Sequence, residues 1–254
     1  MKINNSNVAV IILAAGLGKR MQSDMAKVLH EVLGRPMIRY VVETARRIAG
    51  KDVIVVVGHQ AQKVMEVVSA DAEVLFAYQE KQLGTGHAVL CAFEYIPEYV
   101  SEIVILCGDV PMLRAATVQS LIDDHKAAKR DLSLLAVTVD NPRGYGRVMI
   151  DENRRLIRIV EEADATPEQK KIRTVNAGIY CVAKKFLTDS LQQIKPDNVQ
   201  GELYLTDIIE IGHREKQVVG VLFGDDGDEV MGVNSCTDLL AAEKIMRLRM
   251  SKTS

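Results

Sequence analysis

The chain has 254 residues, 48% of them hydrophobic and 26% charged, with 32 Lys plus Arg against 34 Asp plus Glu and a formal net charge of −2. That size and composition suit one large α/β domain, or one with a modest insertion, burying a sizeable core. The balanced charge excludes a broad basic face for nucleic acid, and 4% aromatic residues with no Trp exclude a row of base-stacking platforms.

Val8–Leu13 (VAVIIL) is the first predicted element, a strand apolar on both faces as in a parallel sheet. It is short for the apolar core of a secretory signal and runs straight into the charged turn Gly16-Leu17-Gly18-Lys19-Arg20, so no leader is expected. Pro36 predicts a helix start, at a position where a missing N–H costs nothing. Met37, Ile38, Val41, Val42, Ala45, Ile48 and Ala49 then recur at helical spacing until Gly50. Val53–Val57 (VIVVV) and Ile103–Leu106 (IVIL) predict two more buried strands. Strand and helix alternating in this order predict right-handed crossovers and a Rossmann-like, doubly wound, mostly parallel sheet. Ligands bind such sheets beyond the carboxyl ends of the strands, which singles out the loops after Leu13 and Leu106.

From about Asn141 the pattern changes. Gly144, Tyr145 and Gly146 lead into Arg147–Ile150, Asp151-Glu152-Asn153 reads as a turn, and Leu156–Val160 completes a β-hairpin. After a polar stretch from Glu161 to Arg173, Ala177–Val182 (AGIYCV) predicts another buried strand. The expectation is one compact domain whose hairpin-rich half covers the sheet edge. Thr237 to Met250 predicts an amphipathic helix ending in a basic turn that complements the helix dipole. Cys91, Cys107, Cys181 and Cys236 lack metal-ligand spacing, and the first three sit in apolar stretches expected to bury free thiols. No run approaches the ~18–20 apolar residues of a membrane span. A cytoplasmic protein without membrane or nucleic-acid partners is expected.

The glycine loop Leu13-Ala14-Ala15-Gly16-Leu17-Gly18-Lys19-Arg20-Met21 does not match either common phosphate motif. A dinucleotide fingerprint needs Gly or Ala where Met21 stands, and an acid after the second strand, where Gly58-His59 stand. A Walker A loop needs Ser or Thr after Lys19, where Arg20 stands. What remains is a small-residue loop whose N–H groups can cradle an anion, followed by the cations Lys19, Arg20 and Lys27. The same residues also suit a tight strand-to-helix turn with solvated cations.

Together with Ser23-Asp24 and Lys27-Val28-Leu29-His30, the run Leu13-Ala14-Ala15-Gly16-x-Gly18-x-Arg20-Met21 resembles the sugar-1-phosphate nucleotidyltransferases. More narrowly, it resembles the uridyltransferase domain of the bifunctional bacterial enzymes that make UDP-N-acetylglucosamine, a cell-wall precursor. Matching segments follow in order: Gln79 with Gly84-Thr85-Gly86-His87-Ala88, Gly108-Asp109-Val110-Pro111, Gly144-Tyr145-Gly146-Arg147 and Ile159-Val160-Glu161-Glu162. Asn176-Ala177-Gly178-Ile179, Gln200-Gly201-Glu202 with Tyr204-Leu205-Thr206-Asp207, and Gly232-Val233-Asn234 complete the series, so the resemblance covers nearly the whole chain.

The resemblance implies the nucleotide-diphospho-sugar transferase fold and transfer of uridylyl from UTP to N-acetylglucosamine 1-phosphate, with release of pyrophosphate. It implies that Leu13, Ala14 and Gly16 hold the nucleotide, and that Gln79, Gly84 and Thr85 read the uracil. The amide of Gln79 suits that role, since it can accept from N3–H and donate to O4. Gly146, Glu161 and Asn176 would hold the sugar. Asp109 and Asn234 would hold Mg²⁺, which favours hard oxygen donors, while Arg20 and Lys27 would act in catalysis. The structural alternatives are an exposed polar loop residue for Gln79, a turn residue for Asp109 and a solvated hairpin charge for Glu161.

Residues 1–236 would then form the uridyltransferase domain and 237–254 its C-terminal helix, with no left-handed β-helix acetyltransferase domain up to Ser254. A monomer or weak oligomer is expected. Lys19, Ala26, Ala177 and Cys236 depart from the family's usual Thr, Pro, Thr and Arg. Loss of a hydroxyl at Ala177 bears on sugar selectivity. The rival readings are a cytidylyltransferase, a molybdenum-cofactor guanylyltransferase, and a non-catalytic sugar-nucleotide sensor.

Overall fold

The computed structural model describes residues 5–153 and 155–251, apart from the Lys19 side chain, so any effect of that cation lies outside the described residues. The N-terminal half contains β1 (Val8–Leu13), β2 (Glu31–Val32), β3 (Arg35–Pro36), α1 (Met37–Ala49), β4 (Val53–Val57), α2 (Ala61–Ser69) and β5 (Leu75–Tyr78). Then come α3 (Thr85–Ala92), β6 (Glu102–Cys107), α4 (Ala115–Ala127), β7 (Leu132–Thr138), β8 (Arg147–Ile150) and β9 (Leu156–Val160). The rest is β10 (Thr174–Ala183), α5 (Lys184–Leu191), α6 (Asp207–Arg214), β11 (Val219–Gly224) and α7 (Cys236–Ser251).

Successive side chains of a strand point to opposite faces, and β1 buries both. Val8, Val10 and Ile12 join a core made with α1, α2 and α4, whereas Ala9 and Ile11 join one made with α3, α5 and α6. The main path of the sheet runs β11-β7-β10-β6-β1-β4-β5. Its pairs are parallel except where β10 lies antiparallel between β6 and β7. The chain passes from β1 to β4 and β5 on one side, then to β6 on the other. The topological switch point therefore lies between β1 and β6, where such sheets open a crevice at the strands' carboxyl ends. Val8–Leu13 and Val53–Val57 form strands with the expected bounds.

Three expectations need correcting. Pro36 sits one residue before α1, not inside its first turn, because it pairs with Glu31 in a two-stranded ribbon. The hairpin β8–β9 does not cover the outer edge. β10 has ten residues and β6 only six, so the first part of β10 runs past the carboxyl end of β6. There β8 takes over as its partner, at Val175↔Arg147, which sets the hairpin beside the crevice. Finally, α7 packs Ala242 fully and Leu239, Ile245 and Met246 partly against Val32, Met37 and Met112, but leaves Leu240, Leu248 and Met250 exposed, so its apolar face is narrower than expected. It is tied to the domain by Glu243, which accepts from the Leu33 N–H at 3.0 Å, and by Arg249, which donates to Asp226 at 2.8 Å.

Cys181 is fully buried, whereas Cys91 and Cys107 are only partly so; these three and the exposed Cys236 are free thiols. No helix among the described residues is long and apolar enough to cross a membrane.

Candidate active site

The loop after β1 turns sharply at Gly18 (φ 62°, ψ 34°). A Cβ there would lie 2.6 Å from Lys27 Cβ, so glycine both permits the turn and lets the lysine segment close against it. Gly16 is exposed, with open space around it. The loop after β4 props the approach to Lys27: Gln60 accepts from Ala26 N–H at 3.1 Å and donates to Asp24 O at 2.8 Å.

Lys27 Nζ donates to Asp109 Oδ2 and, at 3.0 Å, to Asn234 Oδ1. Arg20 donates to the same Asn234 oxygen at 2.8 Å. Four residues from three distant stretches of the chain thus meet at the carboxyl ends of β1 and β6. Asp109 follows β6, and its carbonyl accepts from Val233 N–H at 2.9 Å. The start of α7 orients Asn234. Ser235 Oγ accepts from Asp238 N–H at 3.2 Å while Asp238 Oδ2 accepts from Asn234 N–H at 3.0 Å, an arrangement akin to a capping box. Two oxygen donors already share one ammonium here, so the donor set and its spacing suit a hard cation such as Mg²⁺.

The sugar group of predicted residues also comes together. Asn176 N–H donates to Gly146 O at 2.9 Å, and a Cβ on Gly146 would stand 3.4 Å from both Glu161 carboxylate oxygens. Burial pushes the Glu161 carboxyl up, against the opposing hydrogen bond from Thr206 Oγ1 at 3.1 Å. Asn176 donates to the Tyr180 hydroxyl at 2.6 Å and accepts from Gly178 N–H at 2.9 Å, across the bulge in β10. One donor and one acceptor position remain on its amide. Arg147 is buried and donates to Tyr145 O and to Glu162 at 2.7 Å, locking the Gly144-Tyr145-Gly146 turn. Burial works against ionisation of Glu162, but the bonds from Arg147 and Gly144 N–H outweigh it and hold its carboxyl below the usual range. Cys107 lies under this group, its thiol pushed up to about 12 by burial and then by Asp109.

The third group follows β5. Gln79 is 3% exposed, and its amide nitrogen donates to Gly84 O and His87 Nδ1, both at 3.0 Å. The Gly84 carbonyl dictates that the nitrogen faces it, so His87 accepts at Nδ1 and carries its proton at Nε2. Both amide hydrogens are therefore engaged. The amide oxygen is the open atom, and donation to a base would exchange one of these two bonds for it. Gly84 (φ 110°) and Gly86 let α3 dock on the 203–205 segment, where Thr85 Oγ1 accepts from Leu205 N–H at 2.9 Å. A Cβ on Gly58 would lie 2.7 Å from Gln82 Nε2 and 2.9 Å from Ala15 Cβ, so this group abuts the first loop.

Sequence reasoning did not single out Thr206, Tyr180, His87, Gln82 or Asp238. Thr206 and His87 stood inside recognised segments. The pairing of Tyr180 with Asn176 needed the bulge, and only the Ser-x-x-Asp spacing hinted at Asp238.

A doubly wound sheet with a small-residue loop, a Lys–Asp–Asn cluster at the switch point and a neighbouring polar hairpin defines a nucleotide-handling enzyme. The chain belongs to the nucleotidyl transferase family, whose profile matches residues 9–227. It is 42% identical over 246 residues to the bifunctional protein GlmU of Pelobacter propionicus, covering 97% of this chain and 54% of that protein. The corresponding Geobacter metallireducens protein is 44% identical over 246 residues, covering 97% and 52%, and that of Desulfotalea psychrophila is 42% identical over 245 residues, covering 96% and 72%. The chain thus spans about half the length of most of these curated relatives. Among solved structures, a Bacillus anthracis protein assigned as a glucose-1-phosphate thymidylyltransferase superposes with a TM-score of 0.73 at 22% identity, covering 94% of this chain and 95% of that one. That likeness shows the shared nucleotide-diphospho-sugar transferase fold.

Proposed function

We propose that this chain transfers uridylyl from UTP to N-acetylglucosamine 1-phosphate, forming UDP-N-acetylglucosamine and pyrophosphate with Mg²⁺ as cofactor. Residues 1–236 carry the reaction, and α7 buttresses Asn234. The observation behind this reading is the cation seat formed by Asp109 and Asn234, which share Lys27 Nζ beside the glycine loop.

A sugar phosphate has its second pKa near ~6, so its attacking oxygen is already anionic at neutral pH and needs no general base. That oxygen bonds to the α-phosphorus of UTP as the bond to the bridging oxygen breaks and pyrophosphate leaves. The protein's task is alignment and charge compensation. Leu13, Ala14 and Gly16 hold the nucleotide, and Arg20 and Lys27 balance charge on its triphosphate in the transition state. Gln79 accepts from uracil N3–H beside Gly84 and Thr85. Glu161 accepts from sugar hydroxyls, Asn176 uses its remaining donor and acceptor on the sugar, and Gly146 leaves room for the N-acetyl arm. When bound at Asp109 and Asn234, Mg²⁺ supplies charge neutralisation across the reacting phosphates.

The test is pyrophosphate release from each of four nucleoside triphosphates with N-acetylglucosamine 1-phosphate and with glucose 1-phosphate. UTP with the N-acetylated sugar should be the fastest pair. Release only with CTP or GTP would sink the uridine assignment, and no release with any pair would favour a non-catalytic sugar-nucleotide binder.

A further inference from the structure

At the opposite end of the sheet from the crevice, three side chains from three elements converge inside the core. Glu102 opens β6, Cys181 lies on β10 and His125 projects from the last turn of α4. One ligand atom from each lies within 4.8 Å of the other two, and His125 Nε2 is 3.0 Å from Glu102 Oε2. His125 is 1% exposed and Cys181 fully buried, while the Glu102 side chain, 18% exposed, opens toward solvent. None of these residues takes part in the proposed uridylyl transfer.

We propose that Glu102, His125 and Cys181 form a second metal site, selective for Zn²⁺ or a similar borderline ion and distinct from the hard-oxygen seat at Asp109 and Asn234. Thiolate and imidazole exclude Mg²⁺ in favour of zinc-like ions. Zinc bonds of ~2.0–2.3 Å in tetrahedral geometry put neighbouring ligand atoms ~3.3–3.7 Å apart. The three ligand atoms, all within 4.8 Å of one another, already approach that spacing. Charge also balances: a dication with one carboxylate and one thiolate is neutral, as a buried site requires.

Behind the ring, Ser133 Oγ lies 2.9 Å from His125 Nδ1, with Arg130 NH1 3.4 Å from the same oxygen. This second layer holds the ring and can accept from Nδ1–H once Nε2 turns to the metal. The metal-bound imidazole ligates through Nε2 and carries its proton on Nδ1, and Cys181 releases one proton to solvent on binding. Without metal, the Glu102–His125–Ser133 chain satisfies the ring by itself. That chain leaves Cys181 Sγ unused, and among the described residues no hydrogen bond to it is seen.

The test uses Co²⁺ as a spectroscopic probe on chelator-treated protein, with excess Mg²⁺ filling hard-oxygen sites. One Co²⁺ per chain should bind, with near-ultraviolet thiolate charge transfer and visible bands of a tetrahedral ion, and Zn²⁺ should displace it. Cys181→Ser should abolish the charge-transfer band and weaken Zn²⁺ binding by at least ~10²-fold, beyond the usual loss from a second-layer change. Glu102→Gln keeps an acceptor for His125 but removes the anionic ligand, and should weaken binding without unfolding the chain. If the wild type shows no charge transfer, or the band survives in Cys181→Ser because it arises at Cys91 or Cys236, the proposal fails.

Discussion

Lys27 donates its ammonium to the Asp109 carboxylate, from 82 residues away and across the crevice between β1 and β6. Asn234 shares that ammonium, so the cation of the side chain sits where the proposed divalent ion would bind. Under the proposed function, filling the metal seat frees Lys27 to turn toward phosphate. Both partners are more than four-fifths buried, which limits screening of the pair.

Two opposite effects follow at Lys27. Lys27→Ala should lower kcat/KM by ~10²-fold or more, the scale of losing one transition-state donor. Lys27→Met should at the same time bind Mn²⁺ several-fold more tightly, since the ammonium that competes for Asp109 and Asn234 is gone. Electron paramagnetic resonance of free Mn²⁺ reads the second effect without turnover. Unchanged Mn²⁺ affinity would show that Lys27 does not compete for the seat.

Glu161 should make sugar-nucleotide binding pH-dependent. Burial raises its carboxyl, so it protonates and stops accepting from hydroxyls at a higher pH than a surface glutamate. The Kd for UDP-N-acetylglucosamine, whose diphosphate does not titrate in this range, should rise as pH falls through that region. Glu161→Gln should bind more weakly but with a flatter profile. Calorimetry giving the same slope for both proteins would rule Glu161 out.

Asp207, at the start of α6, is a stability prediction. Burial, then Glu210, Glu161 and Asp164, push its carboxyl up to about 6. A carboxyl raised in the folded state contributes most stability below its unfolded pKa of ~3.9, and loses that contribution as pH rises through the folded value. Asp207→Asn should therefore gain relative to wild type between pH 4 and 7. Because the side chain is only half-buried, solvent screening reduces the gain to ~1 kcal/mol. Urea denaturation at both pH values measures it, and an equal difference at pH 4 and 7 would contradict the assignment.

Gly84→Ala tests the clamp on α3. The added Cβ would meet Leu203 O at 2.6 Å and Leu203 N at 2.7 Å, both backbone atoms, in a conformation with φ 110°. A loss of at least ~2 kcal/mol is expected from strain and displacement together. A urea midpoint within error of wild type would mean that the 203–205 segment yields freely.

How legible the site was depended on the range of each contact. The turn at Gly18 and the strand ends before Gly16 and Asp109 follow from local periodicity and small residues, which act within a few positions. The Asn176 side chain, by contrast, is set by a bulge that brings Tyr180 within 2.6 Å. The partners of the Gln79 amide also escaped sequence reasoning, because its nitrogen reaches Gly84 and His87 only once α3 is docked.

By itself, the sequence determined the strands Val8–Leu13 and Val53–Val57, the hairpin, the doubly wound sheet and the family resemblance. Burial imprints a period on each segment, and short motifs keep their order along the chain. Only the tertiary structure decided that Arg20, Lys27, Asp109 and Asn234 meet at one point, and that the hairpin lies beside the crevice instead of along the outer edge. Strand order and the relative lengths of β6 and β10 set those contacts, and no local pattern encodes either. A net charge of −2 excluded a basic face, but only folding gathers Arg20 and Lys27 against Asp109 and Asn234.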